Sequence, residues 1–291
     1  MKKLTVIALG FLFAAPVAAE EVDRTLDAAA DGTVNVSNIS GSVTIEGWDR
    51  SAVRVTGELG RNVEELIFER DGDNVTIKVK VPRKGGRGIE SDLHISVPED
   101  SSLDVGTVSA DIEASGVFGD QKLNAVSGDI VTETDSADVS AGTVSGDVEI
   151  KGGGKDAETR GTTVSGDVVF YKVAGDVAGE SVSGDVTIDG GSFDRAAFNT
   201  VNGDIEFSAE LRDGGKLTGE TVNGEVDLQF AGSVSGRFDI DTFNGDIDNC
   251  FGPKAERTSK YAPGKKLDFQ EGSGDARITV STMNGDISIC Q

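Results

Sequence analysis

The sequence predicts an all-β fold, namely a single-stranded parallel β-solenoid (β-helix) with coils of about 19 residues and an irregular N-terminal cap. Three observations lead to this fold class. A five-residue motif recurs along the chain, apolar and polar residues alternate within each copy, and glycine makes up 39 of the 291 residues. That is almost twice the usual share of about 7%. Sharp corners between short strands explain such an excess.

The recurring motif consists of an apolar residue, Ser or Asn, Gly, an acidic residue, and Val or Ile. Its clear copies occupy residues 126–130, 144–148, 164–168, 182–186, 201–205, 222–226, 243–247 and 283–287, and weaker copies occupy 39–43 and 108–112. From Gly128 to Gly245, the motif glycines are separated by 18, 20, 18, 19, 21 and 21 residues. Such a period indicates stacked units that bury their apolar side only against their neighbours.

Apolar residues alternate with polar ones inside each copy. In this pattern Val144, Val148 and Ile150 fall on one face, and Asp147 and Glu149 fall on the other. A two-residue period is typical of a strand, and Val and Ile are favoured in half-buried strands. Because about 19 residues are too few for a strand and a full helix, we expect two or three short strands in each coil.

Residues 1–19 have the three-part pattern of a secretory signal peptide. Lys2 and Lys3 give a basic start, an apolar run covers 4–17, and small residues end at Ala19. Cleavage after Ala19 would remove two lysines and change the formal net charge from −24 to −26. We therefore expect a mature protein that is periplasmic, outer-membrane-associated or secreted.

The mature chain divides into two regions in this interpretation. We expect residues 20–100 to form the cap and the first irregular coils, and residues 101–291 to form regular coils with an irregular loop at about 251–275. Two apolar segments that flank residues 71–73 predict a β-hairpin in the cap. His94 alternates with apolar residues in a strand pattern and is predicted to point outward.

The acidic motif position becomes a column when coils stack about 4.8 Å apart. Its members include Asp129, Asp147, Asp167, Asp185 and Asp204. Two unit charges at this spacing repel each other by about 1 kcal/mol in water. Two explanations are open. Each aspartate accepts backbone N–H groups at a turn, or Ca²⁺ or another cation bridges the column.

The two cysteines occupy equivalent positions of the repeat. Cys250 lies five residues after Gly245, and Cys290 lies five residues after Gly285. Equivalent positions on adjacent coils are within bridging distance, and an oxidising compartment favours disulfides. We expect Cys250 and Cys290 to pair and to hold the last coil.

Basic residues are scarce and concentrate in two segments. The first contains Arg83, Lys84 and Arg87, and the second contains Lys254, Arg257, Lys260, Lys265 and Lys266. One interpretation is a pair of solvated loops on an acidic protein. The other is a contact for an anionic envelope polymer or for lipid head groups.

The composition excludes several classes of function. A chain with 51 acidic and 27 basic residues does not suit duplex nucleic acid, because phosphate binding needs a basic surface. No run of about 18 apolar residues follows the N-terminal segment, so no transmembrane helix is predicted there. One histidine and two cysteines leave few ligands for a zinc site or a histidine-dependent triad. We predict no enzymatic activity and no cofactor besides the candidate Ca²⁺.

The tandem motif resembles the bacterial putative-adhesin family, a repeat-containing domain of unknown function. Residues 38–49, which include Gly47 and Trp48, are similar to the first repeat of that family, and residues 276–287 are similar to its last coil. The resemblance covers essentially the whole mature chain. It implies a β-solenoid exported to the cell envelope, with adhesion as the suggested role, and it brings no catalytic residues.

We therefore expect an exported, non-enzymatic protein that contacts an envelope or extracellular polymer or protein. Three alternatives stay open: a carbohydrate-active β-helix enzyme, a structural envelope protein, and an accessory to an envelope-stress or signalling system. Turnover on polysaccharides, self-association and gene neighbourhood would distinguish them.

Overall fold

The structure is a computed structural model that describes residues 20–83, 86–135, 137–259 and 261–291. The predicted signal peptide, residues 1–19, lies outside the described residues. The described part of the chain is all-β, with 23 strands in one mixed sheet and no helix. It accordingly contains no helix of the length and hydropathy needed to cross a membrane.

The strands before the regular repeats are β1 (Glu20–Asp27), β2 (Thr33–Trp48), β3 (Ala52–Leu59), β4 (Glu65–Asp71), β5 (Asn74–Lys80) and β6 (Ser91–Pro98). The central strands are β7 (Ser102–Ser115), β8 (Gln121–Asn124), β9 (Ile130–Thr134), β10 (Val139–Gly142), β11 (Val148–Gly152), β12 (Asp156–Thr162), β13 (Val168–Tyr171), β14 (Ala174–Glu180) and β15 (Val186–Asn199). The last strands are β16 (Ile205–Asn223), β17 (Val226–Phe230), β18 (Gly236–Asn244), β19 (Ile247–Asn249), β20 (Glu256–Arg257), β21 (Lys265–Gln270), β22 (Ala276–Asn284) and β23 (Ile287–Cys290).

Each pass of the chain crosses two ladders of strands, and we call one such pass a coil. Strands β8, β10, β12 and β14 are neighbours in the first ladder, and β9, β11 and β13 are neighbours in the second. The long strands β2, β7, β15 and β16 take part in both ladders. Pairing between these coils is parallel and in register, so that Val148 lies between Ile130 and Val168.

Antiparallel strands close the N-terminal end of the sheet. Strand β2 pairs with β7 on one side and with β5 and β6 on the other, so the coil of β5 and β6 lies outside it. Strand β3 covers β6, β1 covers β3, and β4 covers β5 in the hairpin that the sequence predicts. His94 of β6 is exposed, as predicted. Because β2 pairs with β7, the stack of coils extends across the predicted boundary at residue 100.

At the C-terminal end, too, the order of the coils in space differs from their order in the sequence. The last coil, formed by β22 and β23, lies between the coil of β16 and β17 and the coil of β18 and β19. Strand β21 covers β18 and β20 covers β21, both antiparallel. The segment 251–275 therefore contains two strands where the sequence predicts only an irregular loop. At both ends, the order of the coils in space thus differs from their order in the sequence. The coil of β2 comes before that of β5 and β6 in the sequence but lies inside it, and the coil of β22 and β23 comes after that of β18 and β19 but lies inside it.

The buried core between the ladders changes along the stack. Up to β11 it consists mainly of Val, Ile, Leu and Ala side chains. From β13 onward, a chain of ring contacts runs through Phe170, Phe198, Phe207, Phe230 and Phe238, with neighbouring centroids 5.7 to 6.5 Å apart. Burial of each such ring contributes roughly 1.5–3 kcal/mol. The C-terminal half of the stack is thus aromatic and the N-terminal half aliphatic.

Candidate interaction surface

The motif occupies the corner where a coil passes from the first ladder to the second, which we call the motif corner. One copy consists of Thr143, Val144, Ser145, Gly146 and Asp147. The buried Thr143 hydroxyl donates a hydrogen bond to the carbonyl oxygen of a glycine in the adjacent coil, at 3.1 Å. The same bond is made by Thr163, Ser181, Thr200, Thr221, Thr242 and Thr282. The predicted motif begins one residue later and misses this position, although the recurring Thr or Ser is visible in the sequence.

The motif glycine allows two coils to approach closely. A Cβ built on Gly146 would overlap the carbonyl oxygen of Gly128 in the coil below. Gly146 and Gly184 also have φ angles of 149° and 150°, which L side chains rarely adopt. The position therefore requires glycine for space, and at Gly146 and Gly184 for backbone conformation as well. This accounts for part of the glycine excess.

The acidic side chains of the corner accept hydrogen bonds from the neighbouring coil. The N–H of Asp147 donates to Oδ1 of Asp129 at 2.9 Å, and the N–H of Asp185 donates to Oδ1 of Asp167 at 2.8 Å. The same contact links Asp167 to Asp147 and Asp204 to Asp185. Charge-assisted bonds of this kind are stronger than neutral ones and offset part of the repulsion along the column.

This geometry favours the first explanation for the acidic column. Asp129, Asp147, Asp167, Asp185 and Asp204 form one exposed row in which each bonds to the next coil. Among the residues that the structure describes, no group of three or more His, Cys, Asp or Glu side chains is placed to hold a metal ion. The contacts of the column thus explain its acidic residues without a bridging cation.

Serine and asparagine form a second row beside the aspartates. Ser127, Ser145, Ser165, Ser183, Asn202 and Asn223 pair with one another in parallel bridges from coil to coil. Beyond them, the Asn284 amide donates to Asn223 at 2.8 Å, and the Asn244 amide donates to Asn284 at 2.9 Å. Ser145 therefore stacks on Ser127, and Asn223 stacks on Asn202, as the in-register repeat requires. The amide row also follows the exchanged order of the last coils.

The apolar side chain of each motif corner points into solvent. In spatial order these residues are Val108, Val126, Val144, Val164, Val182, Val201, Val222, Met283 and Phe243, and we call them the apolar ridge. Their exposed fractions range from 37% for Val222 to 54% for Met283. Nine side chains about 4.8 Å apart make a continuous row of roughly 38 Å.

The exposure of the ridge corrects a prediction from the alternation pattern. That pattern places Val144 on the buried face together with Val148 and Ile150. Val148 and Ile150 are fully buried, but Val144 is 46% exposed. The chain turns at Gly146, so the two-residue period of a straight strand does not continue from Val144 to Val148.

The structure bonds Cys250 to Cys290, with their Cα atoms 5.0 Å apart. Cys250 directly follows β19, and Cys290 ends β23, its neighbour in the second ladder. The bond therefore joins the last coil to the outermost coil of the C-terminal end.

The structure keeps the two basic segments far apart. Arg83 and Arg87 lie between β5 and β6, at the N-terminal end of the stack. Lys254 and Arg257 lie at the C-terminal end, next to or within β20. The residues of these segments that lie outside the described part of the chain are Lys84 and Lys260.

Two of the C-terminal lysines are engaged in ion pairs. Lys265 pairs with Asp246 of a motif corner, and Lys266 pairs with Asp239 at 3.0 Å and Asp268 at 3.4 Å. The hydrogen bond to Asp239 raises the pKa of Lys266 above its ordinary value. These ion pairs hold β21 against the coil of β18 and β19. Because both ammonium groups already have carboxylate partners, they are less available to an external anion.

The repeated coils and their laddered corner define a β-rich repeat domain. Residues 33–290 match the Toastrack DUF4097 family, so the protein belongs to this family of domains of unknown function. This match confirms the family resemblance that the tandem motif indicates. No curated protein matches the chain.

Several solved structures are similar over nearly their whole length. A putative adhesin from Bacteroides fragilis has 7% identity and a TM-score of 0.37, covering 94% of this chain and 98% of its own. A putative cell adhesion protein from Clostridium sporogenes has 10% identity and a TM-score of 0.32, with 94% and 100% covered. A putative lipid binding protein from Parabacteroides distasonis has 13% identity and a TM-score of 0.34, with 93% and 97% covered. At these values the similarity carries no argument about function.

Proposed function

We propose that this protein is an exported, non-enzymatic β-solenoid that presents the apolar ridge as an extended interaction surface in the bacterial cell envelope, in the manner of an adhesin. The observation that carries the proposal is the ridge itself, a row of nine exposed apolar side chains. Contiguous exposed apolar surface on a soluble domain marks an interaction site more often than scattered apolar residues do. Its partner is an envelope or extracellular polymer or protein.

The β-solenoid assignment is supported by parallel pairing through successive coils. Val139 of β10, for example, lies between Gln121 of β8 and Thr159 of β12. Each unit buries its apolar side against the next, as in other quasi-one-dimensional repeat proteins. The antiparallel strands at both ends protect edges that would otherwise pair with other chains.

Export is supported by two features at opposite ends of the chain. The N-terminal pattern is that of a signal peptide. The bond between Cys250 and Cys290 suits an oxidising compartment such as the periplasm or the exterior.

A non-enzymatic role is supported by the use that the fold makes of its carboxylates. A glycosidase needs two carboxyl groups facing each other across a substrate, about 5 to 9.5 Å apart. The motif aspartates instead lie in a row, and each accepts the N–H of the next coil, as Asp167 does from Asp185. Turnover of any polysaccharide by the purified protein would contradict this part of the proposal.

Two substitutions on the ridge test the proposed surface. We expect Val144→Ser with Val164→Ser to reduce binding to isolated bacterial cell envelopes at least several-fold, because both side chains are exposed at the centre of the row. The matched control is Val131→Ser with Val169→Ser, two half-buried valines on the outer side of the second ladder. Binding is measured by co-sedimentation of the purified protein with the envelopes.

The outcomes separate the alternatives. Reduced binding by the ridge variant and retained binding by the control support the proposal. Equal binding by all three proteins contradicts it. If sedimentation velocity shows that the native protein self-associates and the ridge variant does not, the ridge joins copies of this chain, and the protein is a structural component.

The basic residues form a secondary part of the proposal, as contacts for an anionic envelope polymer or lipid head group. It rests on Arg83, Arg87, Lys254 and Arg257, with Lys84 and Lys260 in the same segments. The variant Lys254→Gln with Arg257→Gln should weaken binding to vesicles that contain phosphatidylglycerol. Unchanged binding would remove these two residues from the proposed contact.

A further inference from the structure

A cleft lies at the corner opposite the ridge, where coils pass from the second ladder back to the first. We call this turn the second corner. The cleft has a volume of about 350 Å³ and crosses four successive coils. The side chains that line it and that matter here are Phe118, Glu133, Asp135, Lys151, Tyr171 and Lys172. None of them belongs to the motif corner.

The cleft gathers exposed aromatic side chains that are otherwise rare on this protein. Outside the ridge, the large apolar side chains that are exposed in the described part of the chain are Phe118, Tyr171 and Tyr261. Phe118 and Tyr171 lie at the two ends of the cleft, in the first and the fourth of its coils. Three coil spacings of about 4.8 Å place the two coils roughly 14 Å apart.

The turns of the second corner become shorter from coil to coil along this cleft. The links between β7 and β8, β9 and β10, β11 and β12, and β13 and β14 have five, four, three and two residues. Gly116, Gly152 and Gly153 line the cleft without side chains to fill it. A Cβ on Gly152 would press against the backbone of Lys172 and Val173, so the floor accepts no larger residue.

The shortest of these links carries local backbone strain. Among the residues that the structure describes, Lys172 is the one non-glycine residue with a positive φ, at 52°. Its N–H donates to the carbonyl oxygen of Asp189 at 2.8 Å, which holds the turn in place. Strained residues of this kind cluster at functional sites. Here the strained turn sets the exposed ring of Tyr171 at the edge of the cleft.

The charges of the cleft balance on a strongly acidic protein. The whole chain carries a formal charge of −24, yet the cleft is lined by two carboxylates, Glu133 and Asp135, and two amines, Lys151 and Lys172. Nζ of Lys151 bonds to Glu149 at 3.0 Å, and Nζ of Lys172 lies 5.0 Å from the centroid of the Tyr171 ring. A ligand of either net charge gains little from such a lining. A neutral ligand can use both the donors and the acceptors.

We infer that this cleft binds a short neutral oligosaccharide, with Phe118 and Tyr171 as stacking platforms. A sugar ring has apolar C–H faces that suit aromatic rings, and hydroxyl groups at its edges that suit carboxylates and amines. Binding sites typically combine such an apolar lining with a few polar groups that fix orientation. The separation of the two platforms matches several linked rings rather than one. The inference does not depend on the ridge or on the proposed envelope role.

The test is calorimetric titration of the full chain with three neutral probes: cellotetraose, maltotetraose and chitotetraose. We expect saturable binding of at least one of them. The variant Phe118→Ala with Tyr171→Ala should weaken this binding at least tenfold, and Tyr171→Phe should retain most of it. Phe243→Ala is the matched control, because it removes an exposed aromatic ring of the ridge and leaves the cleft intact.

Each outcome decides the inference. Both cleft side chains are substantially exposed, so we expect the double variant to keep the melting temperature of the native protein. If none of the three probes binds the native protein, the inference is wrong. It is also wrong if the double variant binds as tightly as the native protein, or if Phe243→Ala loses binding to the same extent. The envelope-binding assay on the ridge variant is independent, so failure of one proposal does not imply failure of the other.

Discussion

The two corners of each coil differ in how strictly the chain repeats. At the motif corner, a Thr or Ser, an apolar residue, a Ser or Asn, a Gly and an acidic residue recur with no change in length from 143–147 to 282–286. At the second corner, the connecting links shorten from five residues to two over four coils. The spacings of 18 to 21 residues between motif glycines therefore arise outside the motif corner.

The difference shows what a stacked fold demands of its residues. Threonine hydroxyls, glycine carbonyls and aspartate carboxylates at the motif corner all bond to the next coil, so an insertion would break three rows at once. Among the described residues of the second corner, a row of this kind is short, from Asp120 through Asp138 to Glu158, and the links differ in length. A repeated corner therefore yields an extended surface, the ridge, and a variable corner yields a local site, the cleft.

The largest loss of stability is expected from removing the disulfide bond between Cys250 and Cys290, which lies where the last strands of the second ladder end. Replacing Cys250 and Cys290 by serine removes a bond that closes a 40-residue loop. By the loop-entropy argument this costs about 4 kcal/mol. Because repeat stacks unfold from their ends, the loss should appear as faster hydrogen exchange in β18, β19 and β21 to β23.

The native protein provides the control for that variant. Reduction of the purified protein should reproduce the exchange pattern of the double serine variant, and the oxidised protein should have no free thiol. Two free thiols in the oxidised protein would contradict the pairing.

A smaller but still large effect is expected from a single methyl group at the motif corner. Gly184→Ala places a Cβ against the carbonyl oxygen of Gly166, and φ at that position is 150°. We expect a loss of roughly 3 kcal/mol in the free energy of unfolding, as for an overpacked core. The matched change at the second corner is Gly154→Ala, where φ is 78° and no atom lies within 4 Å of the new Cβ.

Gly154→Ala should cost only the strain of a left-handed backbone, about 1–2 kcal/mol. Urea denaturation of both variants measures the difference. If the two substitutions cost the same, close approach of the coils is not what requires glycine at the motif corner.

The central fold was open to prediction from the sequence because repetition and alternation report stacking directly. The burial of Val148 and Ile150 follows from the two-residue alternation. The pairing of Ser145 with Ser127 follows from the spacing of the repeats and their register. The order of coils at the ends does not. Asn284 can bond to an equivalent asparagine on either side, and in the structure it bonds to both Asn223 and Asn244. Because the motif corners are nearly identical in sequence, the sequence does not indicate which corner lies next to which.

The exposure of the apolar ridge was less predictable than the core, for a geometric reason. Alternation assumes a straight strand, and the turn at Gly146 reverses the direction in which Val144 points. The cleft was beyond reach because Phe118 and Tyr171 are 53 residues apart in sequence, and nothing in the repeat marks them. Only the stacking of four links of different length brings them to one site.

A moderate effect is expected from the buried hydroxyl of the motif corner. Thr200→Val removes the donor to the Gly184 carbonyl oxygen, a bond of 2.9 Å, and should cost about 1–2 kcal/mol. Thr159→Val is the control, because Thr159 is equally buried and its hydroxyl has no hydrogen-bond partner in the described structure. That substitution should be neutral or stabilising. Thermal unfolding distinguishes the two, and a greater loss for Thr159→Val would contradict the role of the corner hydroxyl.

The smallest effect concerns acidic residues that lie outside both corners, on the first ladder at its C-terminal end. Burial, and then the charge of Asp239, raises the pKa of Asp241, whereas the hydrogen bond from Lys266 lowers the pKa of Asp239. Asp239 thus stabilises the fold above its unfolded pKa, and this contribution is lost as the pH falls. Asp241 does the opposite, because the folded chain takes up its proton first and gains stability as the pH falls through the raised pKa.

Asparagine substitutions separate these two effects. At neutral pH, Asp241→Asn should raise the free energy of unfolding and Asp239→Asn should lower it, each by no more than about 0.5 kcal/mol for exposed groups. Both differences from the native protein should shrink toward acid pH, that of Asp241 first. Chemical denaturation between neutral pH and about pH 3 measures them. Equal signs for the two variants at neutral pH would show that Lys266 does not distinguish the two carboxylates. In contrast, Asp147 and Asp167 of the motif corner accept backbone N–H groups, so their contribution should not depend on a neighbouring lysine.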